Sequence, residues 1–158
     1  MSLAFGEGGA VARTQPRPLP GREGGRAHQL EIRVYYEDTD AGGIVYHARY
    51  LAFAERGRTE AMRAGGASHD ELATSHGLFF VVRRAEMDYL RPARLDDLIL
   101  VTTRTAAVGG ASVVVRQDFT VGERAIGVLR VKLACIRHED GRPARIPERW
   151  RASFEVGV

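Results

Sequence analysis

The chain has 158 residues, of which 44% are hydrophobic and 27% charged, and its formal net charge is +3. This length predicts one domain whose core is large enough to fold without a disulfide or a structural metal. The only cysteine, Cys135, excludes an intramolecular disulfide and any multi-cysteine metal site. The lack of a run of about 18 apolar residues excludes a transmembrane helix.

Residues 1–27 differ in composition from the rest of the chain. They hold six of the 18 glycines and three of the six prolines and show no apolar period, which predicts a disordered tail. They also lack the continuous apolar stretch of a secretory signal, which favours the cytoplasm. Residues 1–27 contain four arginines and two glutamates, which together carry +2 of the net charge. The rest of the chain is therefore nearly neutral, which argues against a nucleic-acid-binding surface. We therefore expect one folded domain over residues 28–158.

The folded part begins with a predicted strand, a turn and a long helix. Alternating apolar residues predict the strand over His28–Tyr36. Acids and glycines predict the turn over Glu37–Gly43. The helix is predicted over Tyr46–Ala64 from an apolar stripe at helical spacing, which consists of Tyr46, Tyr50, Phe53, Gly57 and Ala61.

A short helix and a series of strands follow. Ser68–Thr74 is predicted to be helical, with Ser68 as its N-cap, and Pro147–Ser153 to add a short helical turn near the end. In between, the period of the apolar residues changes to two, which indicates strands separated by hairpin turns. The predicted strands are Leu78–Tyr89, Asp97–Ala107, Ser112–Val121 and Ala125–Arg137.

This order of elements predicts an α+β fold in which a curved antiparallel sheet wraps one long helix, because each has one apolar face to bury. The opposite face of the predicted sheet is also partly apolar. Such a face, together with unpaired edge strands, indicates that a second copy of the chain covers part of the sheet. The apolar residues predicted on this outer face are Val114, Ile126, Val128 and Ile136.

The common cofactor and catalytic motifs are absent from the sequence. It has no glycine-rich dinucleotide motif, P-loop, HExxH or GxSxG pattern. Asp38 begins a segment similar to a calcium loop, but Arg49 occupies the twelfth position, where a bidentate glutamate is required. We therefore expect no metal and no prosthetic group. Cys135, in an apolar strand, is interpreted as a small buried hydrophobic residue.

The segment YYEDTDAGGIVYH, residues 35–47, places three carboxylates and two glycines between a strand and a helix. One interpretation is a solvated turn whose acids cap the helix. The other is a carboxylate in a cleft beside the helix N-terminus, where unpaired N–H groups stabilise an oxyanion. A carboxylate beside such donors suits acyl transfer, as nucleophile or as general base. The residues by themselves leave both interpretations open.

This segment and the helix after it resemble the hot-dog-fold acyl-CoA thioesterases of the 4-hydroxybenzoyl-CoA thioesterase type, most of all their tol-pal-associated (YbgC-type) branch. The shared motif is an aspartate, two residues, a glycine, two aliphatic residues, an aromatic residue and then His or Tyr. The later segment FVVRRAEMDYLRPARLDDLILV fits the same family. The resemblance covers roughly residues 28–140 and implies a long central helix wrapped by a five- or six-stranded antiparallel sheet.

The resemblance also implies roles for individual residues. Asp40 matches the catalytic aspartate, and the backbone N–H at His47 matches the donor that polarises the thioester carbonyl, with a side-chain role for His47 left open. Tyr46, Gly43 and Val45 are implied to line the substrate site. The substrate is implied to be an acyl-CoA or an acyl-carrier protein, and the enzyme a dimer or tetramer with sites between subunits. The candidates for binding CoA phosphates are Arg83, Arg84, Arg91, Arg94, Arg137, Arg142 and Arg145.

Two alternatives have the same fold. A dehydratase requires a histidine facing a carboxylate across a dimer interface, and the arrangement of Asp40 followed by Gly43 does not match that pattern. A non-catalytic partner of acyl carriers or envelope proteins is suggested by the link of the tol-pal branch to envelope processes, which also implies peripheral association with inner-membrane proteins.

Overall fold

The structure is a computed structural model that describes residues 27–155. The predicted tail, apart from Ala27, lies outside these residues. The helices are α1 (Arg49–Ala64), α2 (His69–His76) and α3 (Glu148–Glu155). The strands are β1 (His28–Arg33), β2 (Leu78–Tyr89), β3 (Leu98–Val108), β4 (Ser112–Val121) and β5 (Arg124–Arg137).

The strands form one antiparallel sheet in the order β1-β3-β4-β5-β2. β3, β4 and β5 are consecutive in both chain and sheet, as tight hairpins require, whereas β1 and β2 lie at the two edges. The prediction of an antiparallel sheet with one long helix is confirmed, with five strands among the described residues.

Helix α1 packs on the sheet through the apolar stripe that the sequence predicts. Tyr50 and Phe53 are buried in the main core together with residues of β1, β3, β4 and β5. At Gly57 the helix approaches the sheet so closely that a Cβ atom would lie 3.0 Å from both Val101 Cγ1 and Gln117 Nε2. A glycine here therefore permits the close approach of helix and sheet, which explains its place in the stripe.

The predicted start of the helix is wrong by one turn. Tyr46 lies outside α1 and is 47% exposed. Its N–H donates to Asp38 O at 2.8 Å, and its carbonyl accepts from the Arg49 N–H at 2.9 Å. These bonds hold Tyr46 in a turn that precedes the helix, so periodicity alone extends the helix too far.

The predicted outer-face position of Ile126 is also wrong, because Ile126 is fully buried in the main core. Phe119 pairs with Gly127, but Thr120 pairs with Ala125, so Ile126 is an extra residue in β5. Such a bulge reverses the alternation of faces. The other outer-face predictions, Val114, Val128 and Ile136, are only partly buried in the described chain.

A second, smaller core lies under α2 and α3. Leu72, Cys135 and Trp150 are buried there, and Trp150 Nε1 donates to Ser68 O at 3.1 Å. Ser68 is the N-cap of α2, as predicted, since its Oγ accepts from the Glu71 N–H. Burial raises the pKa of the Cys135 thiol, which agrees with the prediction of a small buried hydrophobic residue.

Within residues 27–155 no helix is both long and apolar enough to cross a membrane. In the same range, no three His, Cys, Asp or Glu side chains are grouped so that they could hold a metal ion.

Candidate active site

The segment from Asp38 to Arg49, here called the entry loop, leads directly into helix α1. Thr39 and Val45 form an antiparallel bridge, and within it the Asp40 N–H donates to Ile44 O at 2.9 Å. The Gly43 N–H donates back to Asp40 O at 3.0 Å, and Gly43 has a φ of +73°, which favours glycine. Asp40 therefore lies on a tight, hydrogen-bonded turn rather than in a mobile loop.

The Asp40 carboxylate is exposed, and only one of its two oxygens accepts a hydrogen bond. Its Oδ1 accepts from the Gly42 N–H at 2.8 Å. Within the described part of the chain no hydrogen bond uses its Oδ2. This arrangement fixes the orientation of the carboxylate and leaves one oxygen able to react or to accept a proton.

His47 lies two residues before α1 and presents a free backbone donor. Among residues 27–155 no acceptor is bonded to the His47 N–H. Its carbonyl accepts from the Tyr89 hydroxyl at 2.9 Å, and its ring lies 4.4 Å from the Tyr46 ring. Ala48 is the N-cap of α1, so this N–H lies just outside the helix, near its positive end, where it is suited to stabilise a developing oxyanion.

A buried ion pair closes the entry loop. The Asp38 side chain is 4% exposed, and its Oδ1 accepts from Arg49 Nε at 2.7 Å and also from Arg49 Nη2. Its Oδ2 accepts from the Tyr35 N–H at 2.9 Å. Asp40 and His47 both lie between the two ends of this pair. Asp38, which the sequence suggests as a capping residue, thus ties the turn that carries Asp40 to the first residue of α1.

The three predicted substrate-lining residues differ in their exposure to solvent. Gly43 and Tyr46 are exposed beside Asp40 and His47. Val45 is 4% exposed, its side chain belongs to the main core, and its N–H donates to Ala93 O at 2.8 Å. In the single chain Val45 therefore supports the entry loop from inside, while Gly43 and Tyr46 lie at the surface.

A cavity of about 410 Å³ lies elsewhere, beside the middle of α1. Neither Asp40 nor His47 contributes to it. It is enclosed by all three helices and by strands β2, β3, β4 and β5, and here we call it the α1 cavity. Its lining residues include Arg58, Met62, His69, Phe80, Val82 and Leu133.

A polar network forms part of the cavity wall. Arg58 Nη1 donates to Gln117 Oε1 at 2.9 Å, and the fully buried Gln117 amide donates to Ala54 O and to Thr103 Oγ1. Burial lowers the pKa of Arg58, against the opposing effect of Glu55. Partial burial likewise lowers the pKa of His69; Glu55 opposes this, and Arg58 and Arg63 add to it.

Several residues of functional interest have little or no signal in the sequence. Tyr89 ends a strand, and only the packing of β2 beside the entry loop shows that its hydroxyl reaches His47. Gln117 lies at a core-facing strand position, where a polar residue is unusual, and that was the one available signal. Glu55 lies among arginines on α1, and its carboxylate accepts from Thr59 Oγ1 at 2.7 Å.

An antiparallel sheet is wrapped on one helix, and a carboxylate and an unbonded N–H lie just before that helix, an arrangement that suits acyl transfer. The sequence profile of the Thioesterase superfamily matches residues 42–128. The acyl-CoA thioesterase YbgC of Haemophilus influenzae is 42% identical over 123 residues, which cover 78% of this chain and 90% of that protein. The acyl-CoA thioester hydrolase YbgC of Escherichia coli O157:H7 is 39% identical over 125 residues, covering 78% and 92% of the two chains.

Solved structures agree with these sequence relatives. The probable thioesterase from Bartonella henselae superposes with a TM-score of 0.73 at 42% identity, covering 77% of this chain and 99% of that one. The 1,4-dihydroxy-2-naphthoyl-CoA thioesterase Slr0204 from Synechocystis has a TM-score of 0.76 at 18% identity, covering 81% and 95%, which shows the shared fold. The chain belongs to the Thioesterase superfamily and has its hot-dog fold. The predicted family, fold and enzyme class are thereby confirmed.

Proposed function

We propose that this protein hydrolyses acyl-CoA thioesters to a free acid and CoA, with Asp40 and the His47 N–H as its catalytic groups. The observation that carries this proposal is the entry loop, which presents a fixed carboxylate and an unoccupied N–H just before the helix on one short, hydrogen-bonded segment. The names of the relatives, acyl-CoA thioesterase and acyl-CoA thioester hydrolase, support the substrate class.

Two routes are consistent with this geometry. In the first, Asp40 attacks the thioester carbonyl, CoA leaves as its thiolate, and water then hydrolyses the mixed anhydride. In the second, Asp40 accepts a proton from a water molecule as that water attacks the carbonyl, and CoA leaves in the same way. In both, the carbonyl oxygen gains negative charge that the His47 N–H stabilises. Neither route requires a metal or a prosthetic group.

We propose that the active unit is a homodimer. Strand β2 is a sheet edge of 12 residues, and an edge of this length is prone to pair with another strand. Exposed apolar side chains lie along and just beyond it, at Val82, Tyr89 and Leu90. Because Tyr89 touches the entry loop, a partner on this edge would cover Asp40, which is exposed in the single chain. A tetramer stays a prediction from the sequence.

Arg94 is the proposed contact for CoA phosphates. Of the candidate arginines, its backbone pairs directly with Ile44 of the entry loop, and its side chain is exposed. A guanidinium there can bind a phosphate that extends from a thioester held at Asp40. Cytoplasmic location, peripheral contact with inner-membrane proteins and use of an acyl-carrier protein stay predictions from the sequence.

A panel of acyl-CoA thioesters, with released CoA followed by a thiol reagent, tests the proposed function. We expect turnover of at least one aliphatic or aromatic acyl-CoA, and its loss in Asp40→Asn. Binding of an acylated carrier protein without release of any thiol would instead favour the non-catalytic alternative and overturn the proposal.

A further inference from the structure

The α1 cavity has a volume within the range of small-molecule sites, and nothing in the proposed chemistry of the entry loop uses it. Most of its wall is apolar. Met62 comes from α1, Phe80 from β2, and Leu133 from β5. Val115 and Phe154 complete this surface. Such a wall favours an alkyl or aryl group, because removing apolar surface from water is favourable.

One side of the cavity is polar and carries a positive charge. Arg58 lines it, and the guanidinium donates one hydrogen bond, from Nη1 to Gln117 Oε1. In the part of the chain that the structure describes, no carboxylate lies within 4 Å of the Arg58 nitrogens, whereas ten other ion pairs do form. A guanidinium has five N–H donors, so most of those of Arg58 are available to a ligand.

Glu55 attracts this group through space but forms no ion pair with it within 4 Å. Glu55, one helical turn before Arg58, is exposed at the cavity, and its carboxylate accepts from the Thr59 hydroxyl. Arg58 is more buried than Glu55 and is fixed from behind by Gln117, which in turn is anchored to Thr103 and to the backbone of Ala54. The cavity therefore combines apolar walls with one preoriented cation.

We propose that the α1 cavity binds an alkyl chain that carries a carboxylate, with Arg58 as the anchor of the carboxylate. The planar fork of a guanidinium matches the two oxygens of a carboxylate, and the apolar wall accepts the chain. Two sources have this chemistry: a free fatty acid, and an acyl group that bears a second carboxylate at its far end. The site is separate from the carbonyl-activating groups of the entry loop.

Calorimetric titration of the full chain with octanoate and with octanamide tests the site without any turnover. The two probes have similar shapes but differ in charge. We expect octanoate to bind at least tenfold more tightly than octanamide, because charge-assisted hydrogen bonds are the stronger ones. Arg58→Gln, which removes the charge and keeps a polar amide, is expected to abolish this preference while leaving octanamide binding unchanged.

Two further variants complete the test. Arg56→Gln, a matched change on the same helix outside the cavity, is expected to leave both affinities as they are. Val82 is a half-exposed residue of the cavity wall, so Val82→Trp narrows the cavity. This variant is expected to weaken the binding of both octanoate and octanamide. If the wild-type chain binds octanoate no better than octanamide, or if the preference survives Arg58→Gln, the proposal is wrong. The probe pair and Val82→Trp decide the matter even if Arg58→Gln fails to fold.

A second experiment separates the two sources, and this one rests on the proposed hydrolysis. If the carboxylate belongs to a substrate, kcat/KM for adipoyl-CoA will exceed that for hexanoyl-CoA in the wild type but not in Arg58→Gln. If it belongs to a free acid, octanoate will inhibit hexanoyl-CoA hydrolysis, and Arg58→Gln will relieve this inhibition. Absence of all hydrolysis would refute the proposed function while leaving the calorimetric result intact.

Discussion

The entry loop and the α1 cavity lie along the same helix but are built in different ways. The residues of the entry loop are contiguous, from Asp38 to Arg49, and bonds between near neighbours hold them. The cavity is assembled from seven elements, and its central cation, Arg58, is oriented by Gln117, 59 positions away. A local segment can thus carry the proposed catalytic groups with a few long-range bonds, such as those from Val45 to Ala93 and from Tyr89 to His47, whereas a binding volume requires the whole fold.

The two regions also differ in how polarity is arranged. In the entry loop a buried acid, Asp38, is matched by its own cation, Arg49. In the α1 cavity, Arg58 lines the wall and has a neutral amide, that of Gln117, as its hydrogen-bond partner. A satisfied pair stabilises geometry, while an unsatisfied cation favours a ligand.

The largest expected effect follows from Asp40→Asn, which keeps the size of the side chain and removes its charge and nucleophilic oxygen. General-base catalysis by itself contributes about 10²–10⁴-fold, so kcat is expected to fall at least about a hundredfold. Steady-state kinetics with one good acyl-CoA measures this. Octanoate binding should be unchanged, which would separate the two regions. Retention of most of the activity would rule out the mechanism proposed for the entry loop.

Next in size is Arg49→Met, which opens the entry loop. Breaking a buried ion pair costs about 3–5 kcal/mol, and since the Arg49 side chain keeps 29% exposure, a loss near the lower end is expected. As a positioning residue, Arg49 should affect kcat, by roughly tenfold, more than KM. Arg49→Lys should restore part of kcat.

The matched control is Arg63→Met, which removes an exposed pair with Glu60. Surface pairs of this kind contribute only about 0–1 kcal/mol. Thermal unfolding and kinetics of all three variants provide the comparison. If Arg49→Met lowers the stability but the folded variant keeps the full kcat, the ion pair supports only the fold.

A smaller effect is expected from His47→Ala, because the proposed donor is the backbone N–H, which alanine retains. Alanine is also a good helix former, so the start of α1 should survive. We expect a loss of roughly tenfold or less, partly in KM if the imidazole touches the substrate. A loss as large as that of Asp40→Asn would assign a catalytic role to the imidazole itself.

Arg94→Gln tests the proposed phosphate contact at the rim of the entry loop. Removing one exposed charge should raise KM for acyl-CoA a few-fold with little change in kcat, and the effect should shrink at high salt because exposed charges are screened. Substrates with a short thiol in place of CoA should show no difference between the variant and the wild type. Equal losses on both substrates would contradict a role in CoA binding.

The smallest effect concerns His69 at the α1 cavity. Partial burial lowers its pKa, so below about pH 6.5 the unfolded chain binds more protons at this residue than the folded chain. The contribution of His69 to the free energy of unfolding is therefore present above that pH and is lost as the pH falls. His69→Gln should make the decline of Tm between pH 7 and 5 slightly shallower. His138→Gln, an exposed change outside the cavity, serves as the control.

Local pattern determined much of this protein. The apolar alternation predicted the five strands of the described residues, and the spacing of Tyr50, Phe53 and Gly57 predicted the buried face of α1. These features depend on neighbours within a few residues, so periodicity and turn chemistry are enough to find them. Asp40 and His47 were candidates only through the resemblance of their motif to a known family, because the residues alone also allowed a solvated turn.

Only the tertiary structure decided the rest. The bulge that turns Ile126 inward depends on the register between β4 and β5, and the start of α1 at Arg49 depends on the bonds that hold Tyr46 in a turn. Likewise, Tyr89 reaches His47 from 42 positions away, and Gln117 orients Arg58 from another strand. Such contacts form between segments that only folding brings together, so no local period in the sequence encodes them.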